Sequence, residues 1–147
     1  MVVLSTLGFD EIDDLFLVVH GDETPFEQDW QRLVAATRDS RPRITRGLII
    51  AGRSKLDAGQ RRSLAEALKT TKLNVAVLVA SPLARGTVTA LGWVLGGYRA
   101  FDMHELDKAF AYLQVSQAHQ ARTRRSIEEI RGRLSSANEQ SGAPSNR

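Results

Sequence analysis

The stretch Gly47-Leu48-Ile49-Ile50-Ala51-Gly52-Arg53-Ser54 places two glycines, a basic residue and a hydroxyl at nearly the spacing of a phosphate-cradling loop. In such a loop, backbone N–H groups wrap the phosphates, a cation neutralises them and the hydroxyl holds magnesium. The residues between the glycines form the nest, and the strand precedes the first glycine. Here those residues are Leu48, Ile49, Ile50 and Ala51, whose apolar side chains a nest would expose. No later apolar run ending in aspartate supplies a second carboxylate for magnesium. The stretch therefore reads as a β-strand with glycines at its ends.

Other catalytic patterns are no better supported. His20, His104 and His119 are far apart, and none has a second histidine at ligand spacing. His20 closes an apolar run and reads as a half-buried polar group; His104 falls in the first turn of a helix. The chain contains no cysteine, which excludes disulfides, thiol catalysis and thiolate-bound metal. The acid pairs Asp13-Asp14 and Asp22-Glu23 fall in turns, where acids cap and solvate. A serine elbow and a dinucleotide fingerprint are both missing. These readings lead to a non-enzyme with no catalytic residues, no metal and no cofactor.

A chain of 147 residues is most simply one domain with a core of its own. Its net charge of +3 invites a nucleic-acid reading until the charge is located. From Val115 onward, Arg122, Arg124, Arg125, Arg131, Arg133 and Arg147 face only Glu128, Glu129 and Glu139, so the body before them is formally neutral. The tail has no aromatic residue to stack on bases, and its arginines alternate with glutamates, so no nucleic-acid partner is expected. The N-terminus lacks a basic signal-peptide region, and no apolar run approaches the ~20 residues of a membrane span. The expectation is a cytoplasmic protein without membrane insertion.

Helix entries are legible. Thr24-Pro25-Phe26-Glu27, Asp57-Ala58-Gly59-Gln60 and Asp102-Met103-His104-Glu105 each read as capping boxes, and Ser81-Pro82 supplies a cap with proline at the first helical position. They predict helices over 25–39, 58–70, 82–96 and 103–114. Apolar runs over 15–19, 47–51 and 75–79 predict strands, with a shorter one at 98–101 and a first over 2–7 that turns through 10–14. The order β-β-α-β-α-β-α-β-α implies a mostly parallel sheet. Beyond it, 115–136 reads as a helical extension and 137–147 as a disordered tail.

This order, with the segments TPFEQDWQRLVAA, KLDAGQRRSLAEAL and YRAFDMHELDKAFAYL, resembles STAS-like domains over residues 1–114. These are the modules of anti-sigma-factor antagonists and of sulfate-transporter regulatory tails. The resemblance implies near-sequential strands, helices mainly on one face, and regulated protein–protein contact. The family's switch places aspartate, a phosphorylatable serine and glycine at the helix after the third strand. The matching positions here are Asp57, Ala58 and Gly59, and Ala58 has no hydroxyl to carry a phosphate. Ser54, in the basic loop Arg53-Ser54-Lys55, is either a displaced acceptor or a loop serine bonded to backbone. Asp57 is a helix cap in either case.

Two functions of different class follow. The first is a non-catalytic regulatory or scaffold module that binds another protein, with a homodimer as one form. Its interface would combine Arg53, Ser54, Lys55 and Asp57 with Arg85 and Trp93, the last beside the small residues Gly86, Ala90 and Gly97. The alternative is a sensor that binds a small anion, such as a nucleotide or phosphate metabolite, near Arg53 and Arg85. Because the strands are apolar on both alternating sets, both sheet faces require cover. If the four helices share one face, the extension or a second copy must cover the other.

Overall fold

A computed structural model describes residues 1–68 and 72–141, with the side chains at 68, 91, 93–95 and 138–141 outside the description. The six strands are β1 (Val2–Val3), β2 (Leu7–Ile12), β3 (Leu15–His20), β4 (Arg46–Gly52), β5 (Asn74–Val79) and β6 (Tyr98–Asp102). They form one sheet in sequential order: β1, β2 and β3 are antiparallel neighbours, and β3 to β6 run parallel. Helices α1 (Glu27–Asp39), α2 (Ala58–Leu68) and α3 (Pro82–Leu95) connect the parallel strands. Two more, α4 (Leu106–Leu113) and α5 (Gln117–Ser141), follow β6.

The glycine stretch is β4, as its apolar residues require. Leu48 and Ile50 point to one sheet face and are buried there; Gly47, Ile49 and Ala51 point to the other. At the N-terminus the expected single strand over 2–7 is two strands. β2 runs through Asp10 and Glu11, and the turn is confined to Asp13 and Asp14, with Asp13 at positive φ. Asp10 is stable within a strand because it has partners: it accepts from Ser126 Oγ at 2.8 Å and pairs with the N-terminal amine at 3.3 Å.

Helix entries follow local chemistry in three cases and tertiary chemistry in one. At α2 the box closes: Gln60 N donates to Asp57 Oδ1 (2.7 Å), and Asp57 N donates to Gln60 Oε1 (3.1 Å). Ser81 Oγ accepts from Ala84 N ahead of Pro82. At α4 only the returning half forms, Asp102 N donating to Glu105 Oε1 (2.8 Å), and the helix starts at Leu106. For α1, Thr24 does not cap. Phe26 holds the cap position, its N–H donates to Thr6 Oγ1 (3.1 Å), and Thr6 in turn donates through N and Oγ1 to buried Asp29.

Helices lie on both faces: α1, α2 and α3 share one, and α4 joins the extension α5 on the other. On the first face α1 and α2 pack Trp30, Leu33, Val34 and Ala67 on Leu7, Phe9, Phe16 and Val18, while α3 lies over Val75 and Val77. On the second, α4 and α5 pack Phe110, Leu113, Ile127, Ile130 and Leu134 on Leu15, Leu17, Leu48, Ala76 and Leu78. Amphipathicity places an apolar stripe on a helix but does not say which sheet face it meets, so α4 could not be assigned from its pattern. The extension supplies the second cover. Gly8 permits its close approach, since a Cβ there would lie 2.6 Å from Ile130 Cγ2. The helical extension runs to Ser141, past the expected boundary at 136, and residues 142–147 of the expected disordered tail lie outside the described residues.

Candidate functional site

The carboxyl ends of β3, β4 and β5 emerge at one end of the sheet, and their loops are tied together there. Ser54 Oγ donates to Glu23 O (2.9 Å), Gln60 Nε2 to Pro25 O (2.8 Å), and Ala80 N to Gly52 O (3.0 Å). Beneath them on the first face, α3 is drawn toward the sheet edge. Gly92 lies so close to β6 that a Cβ would sit 2.8 Å from Tyr98 O. With α2 packed beside α1 and α3 held toward β6, Ile49 and Ala51 between them are only half-buried.

The result is a cleft of about 570 Å³. Its floor is Ile49 and Ala51 of β4 with Val77 and Val79 of β5; Leu56 and Arg61 stand on one wall, and Ala84, Thr87 and Val88 on the other. Ser54, Lys55 and Ser81 edge the mouth, and His20 lines the cleft at the end of β3. A narrower chamber of about 70 Å³ lies beneath α1 and α2, and His20 and Ile49 line both spaces.

Polar atoms around these spaces are unusual. His20, Trp30 and Tyr98 line the inner chamber, and their Nδ1, Nε1 and OH atoms are buried with no hydrogen-bond partner among the described residues. Burial pushes the His20 imidazole down to about 4, so it is neutral at neutral pH, and pushes the Tyr98 phenol up. Lys55 and Arg61 line the cleft without a carboxylate partner among the described residues; Arg61 donates to Leu56 O (2.6 Å). Between Arg53 and Arg62 stand four cations and one acid, Asp57. The arrangement is an apolar trough with a cationic rim.

The six residues singled out from the sequence are thereby separated. Lys55 and Ser54 line the cleft, while exposed Arg53 is in the adjoining loop and Asp57 caps α2. Ser54 is bonded to backbone, though to the Glu23 carbonyl of a neighbouring loop. Arg85 faces away toward β6, where it pairs with Asp102 (2.6 Å) and Glu105 (3.2 Å). The Lys108 ammonium and the Asp102 N–H hold the Glu105 carboxyl down at about 2, so Arg85 faces anions already present. Arg53 and Arg85 therefore do not share a site. The backbone of Trp93 belongs to α3, but its side chain lies outside the described residues.

Sequence reading missed Arg61 and the place of His20. Arg61 belonged to an ordinary amphipathic helix, and His20 carried no ligand spacing; only the strand-end position hinted at a role. Among the described residues, no group of three or more His, Asp or Glu side chains is set to hold a metal, and no helix is long and apolar enough to cross a membrane. Comparison with known proteins finds no family model and no curated protein that matches this chain.

Proposed function

We propose that this chain is a non-catalytic regulatory module that binds a small organic ligand in the cleft between α2 and α3. This is the sensor reading, with its site moved from Arg53 and Arg85 to the floor of β4 and β5. The observation that supports it is the cleft itself: about 570 Å³, at the carboxyl ends of parallel strands, with apolar walls and few polar groups. Ligand sites favour that size and composition, here without the strand-order reversal at which open α/β sheets usually form their crevice. The strand order supports kinship with STAS-like domains; the helices on the second face and Ala58 depart from that pattern.

Thermal-shift titration with small apolar, anionic and cationic compounds tests the reading, comparing the natural chain with Ala51→Phe. Ala51 projects from the floor, so phenylalanine would occupy the cleft. A compound that raises the melting temperature of the natural chain but not of Ala51→Phe supports ligand binding there. Stabilisation that survives the substitution, or none by any compound, overturns it.

A second reading rests on the outer lip of the same cleft, which Leu83 also lines. Leu83 is 76 % exposed, and Arg85, the one charged residue of α3, is turned toward Asp102. An uncharged helix face with a protruding leucine suits protein docking, including a homodimer. Sedimentation of the natural chain and Leu83→Asp distinguishes the cases: a dimer lost on substitution supports the docking face, and a monomer in both removes the homodimer.

A further inference from the structure

We infer that the ligand is an amphiphilic anion, with its head at the Lys55–Arg61 rim and a single apolar chain on the floor formed by Ile49, Ala51, Val77 and Val79. The inference rests on the cleft being a ligand site and adds the ligand's chemical class.

The site has a polar end and an apolar end. His20 terminates β3, Ser54 and Lys55 follow β4, and Ser81 follows β5, so all four stand where the strands finish. Ile49 and Val77 lie further back along their strands, and Val88 lies further along α3. An isotropic polar ligand would leave the far end against bare hydrocarbon. A purely apolar ligand would leave the Lys55 ammonium at the rim without use. A molecule with one anionic head and one chain satisfies both ends.

Three observations support the head's charge. Lys55 has no ion pair among the described residues. The Arg61 guanidinium is held at the rim by its bond to Leu56 O, which reduces the entropy lost in holding an anion. Residues 53–62 carry four cations against Asp57, with Asp22 and Glu23 in the loop tied to Ser54, so the cations remain in excess by one. His20 contributes in a different way. Neutral at neutral pH, its ring lines the cleft without adding a charge to a low-dielectric wall. The chain contributes through burial: each methylene moved from water onto the floor favours binding by about 0.8 kcal/mol. Carboxylate and phosphate heads share this chemistry, and the probes below separate them.

Isothermal titration with laurate, dodecyl phosphate, dodecanol and inorganic phosphate, each below its micelle concentration, tests the class. Laurate or dodecyl phosphate should bind, and whichever is tighter identifies the head. Dodecanol should bind about three- to tenfold more weakly, as expected for loss of a rim-exposed charge interaction. Lys55→Gln with Arg61→Gln should lower the affinity of the anionic amphiphile to that of dodecanol and leave dodecanol unchanged. Ala51→Phe should abolish all three.

Equal affinity for laurate, dodecyl phosphate and dodecanol overturns the anionic head. Binding of inorganic phosphate in their place, lost in Ala51→Phe, overturns the amphiphile while leaving the cleft as a ligand site, and binding of none of the four probes overturns the amphiphile as well. Binding of any probe that Ala51→Phe does not weaken overturns both readings. Lys55→Gln alone is the control for folding, since Lys55 makes no bond within the chain among the described residues.

Discussion

The two faces of this sheet are built from the same strands but finished differently. Beneath α4 and α5, one continuous cluster runs from Ile12 to Leu134, with Leu17, Leu48, Phe110 and Ile130 fully enclosed. Beneath α1, α2 and α3 the core is split: one cluster centres on Trp30, a smaller one on Val77, and the cleft opens between α2 and α3. A closed face serves stability. An open one exposes apolar surface to water and keeps a space that a ligand can fill. Position more than composition separates them, because β4 and β5 are apolar on both sides.

If the closed face carries the stability, the largest effect should come from removing its cover. A chain ending at Gln114 loses Ile127, Ile130 and Leu134 and exposes Leu15 and Leu17. It should aggregate or lose its cooperative melting transition, as judged by calorimetry and light scattering. A monomer with natural stability would break the comparison.

Single substitutions sharpen it. Ile130→Ala should lower unfolding free energy by about 2–5 kcal/mol, because the site is sealed and relaxes little. Val88→Ala, on the half-buried wall of the cleft, should cost about 1 kcal/mol or less, since part of that side chain already faces open space. Urea denaturation measures both, and equal losses would contradict the asymmetry. Ser81→Ala should cost about 1 kcal/mol through its lost helix cap, comparable to Val88→Ala for a different reason.

A further effect, confined to acid pH, concerns protons. Burial lowers the His20 imidazole from 6.5 to about 4. The unfolded chain therefore binds more protons between those values, and the His20 contribution to stability is complete above pH 6.5 and falls as pH drops toward 4. Glu105, lowered from 4.5 to about 2, acts in a more acid window: its contribution is present above pH 4.5 and falls as pH drops toward 2. Denaturation profiles of His20→Gln and Glu105→Gln should each lose slope in their own window and retain it in the other.

The sequence carried much of the fold because its signals were local. Asp57 with Gln60, and Ser81 with Pro82, marked α2 and α3; length and branching marked the parallel strands. β2 was obscured because Asp10 and Glu11 look like turn residues until Ser126, distant in sequence, supplies a partner. The entry to α1 was misread for the same reason, since Thr6 rather than Thr24 completes it. Of the candidate site, Lys55 and Ser54 were visible as a basic loop after a strand. The cleft was not, because it depends on the sideways placement of α3, fixed by Gly92 against Tyr98. A long-range approach of backbone to backbone leaves no local spacing to read.

The central claim is that the open face is a ligand site, and an NMR titration of the amide-labelled chain with laurate and dodecyl phosphate tests it most directly. The account predicts saturable shifts concentrated on β4, β5, α2, α3 and the Arg53–Asp57 loop, with α4 and α5 unmoved. Saturable shifts concentrated on α4 and α5, or no saturable shift with either probe, would contradict it.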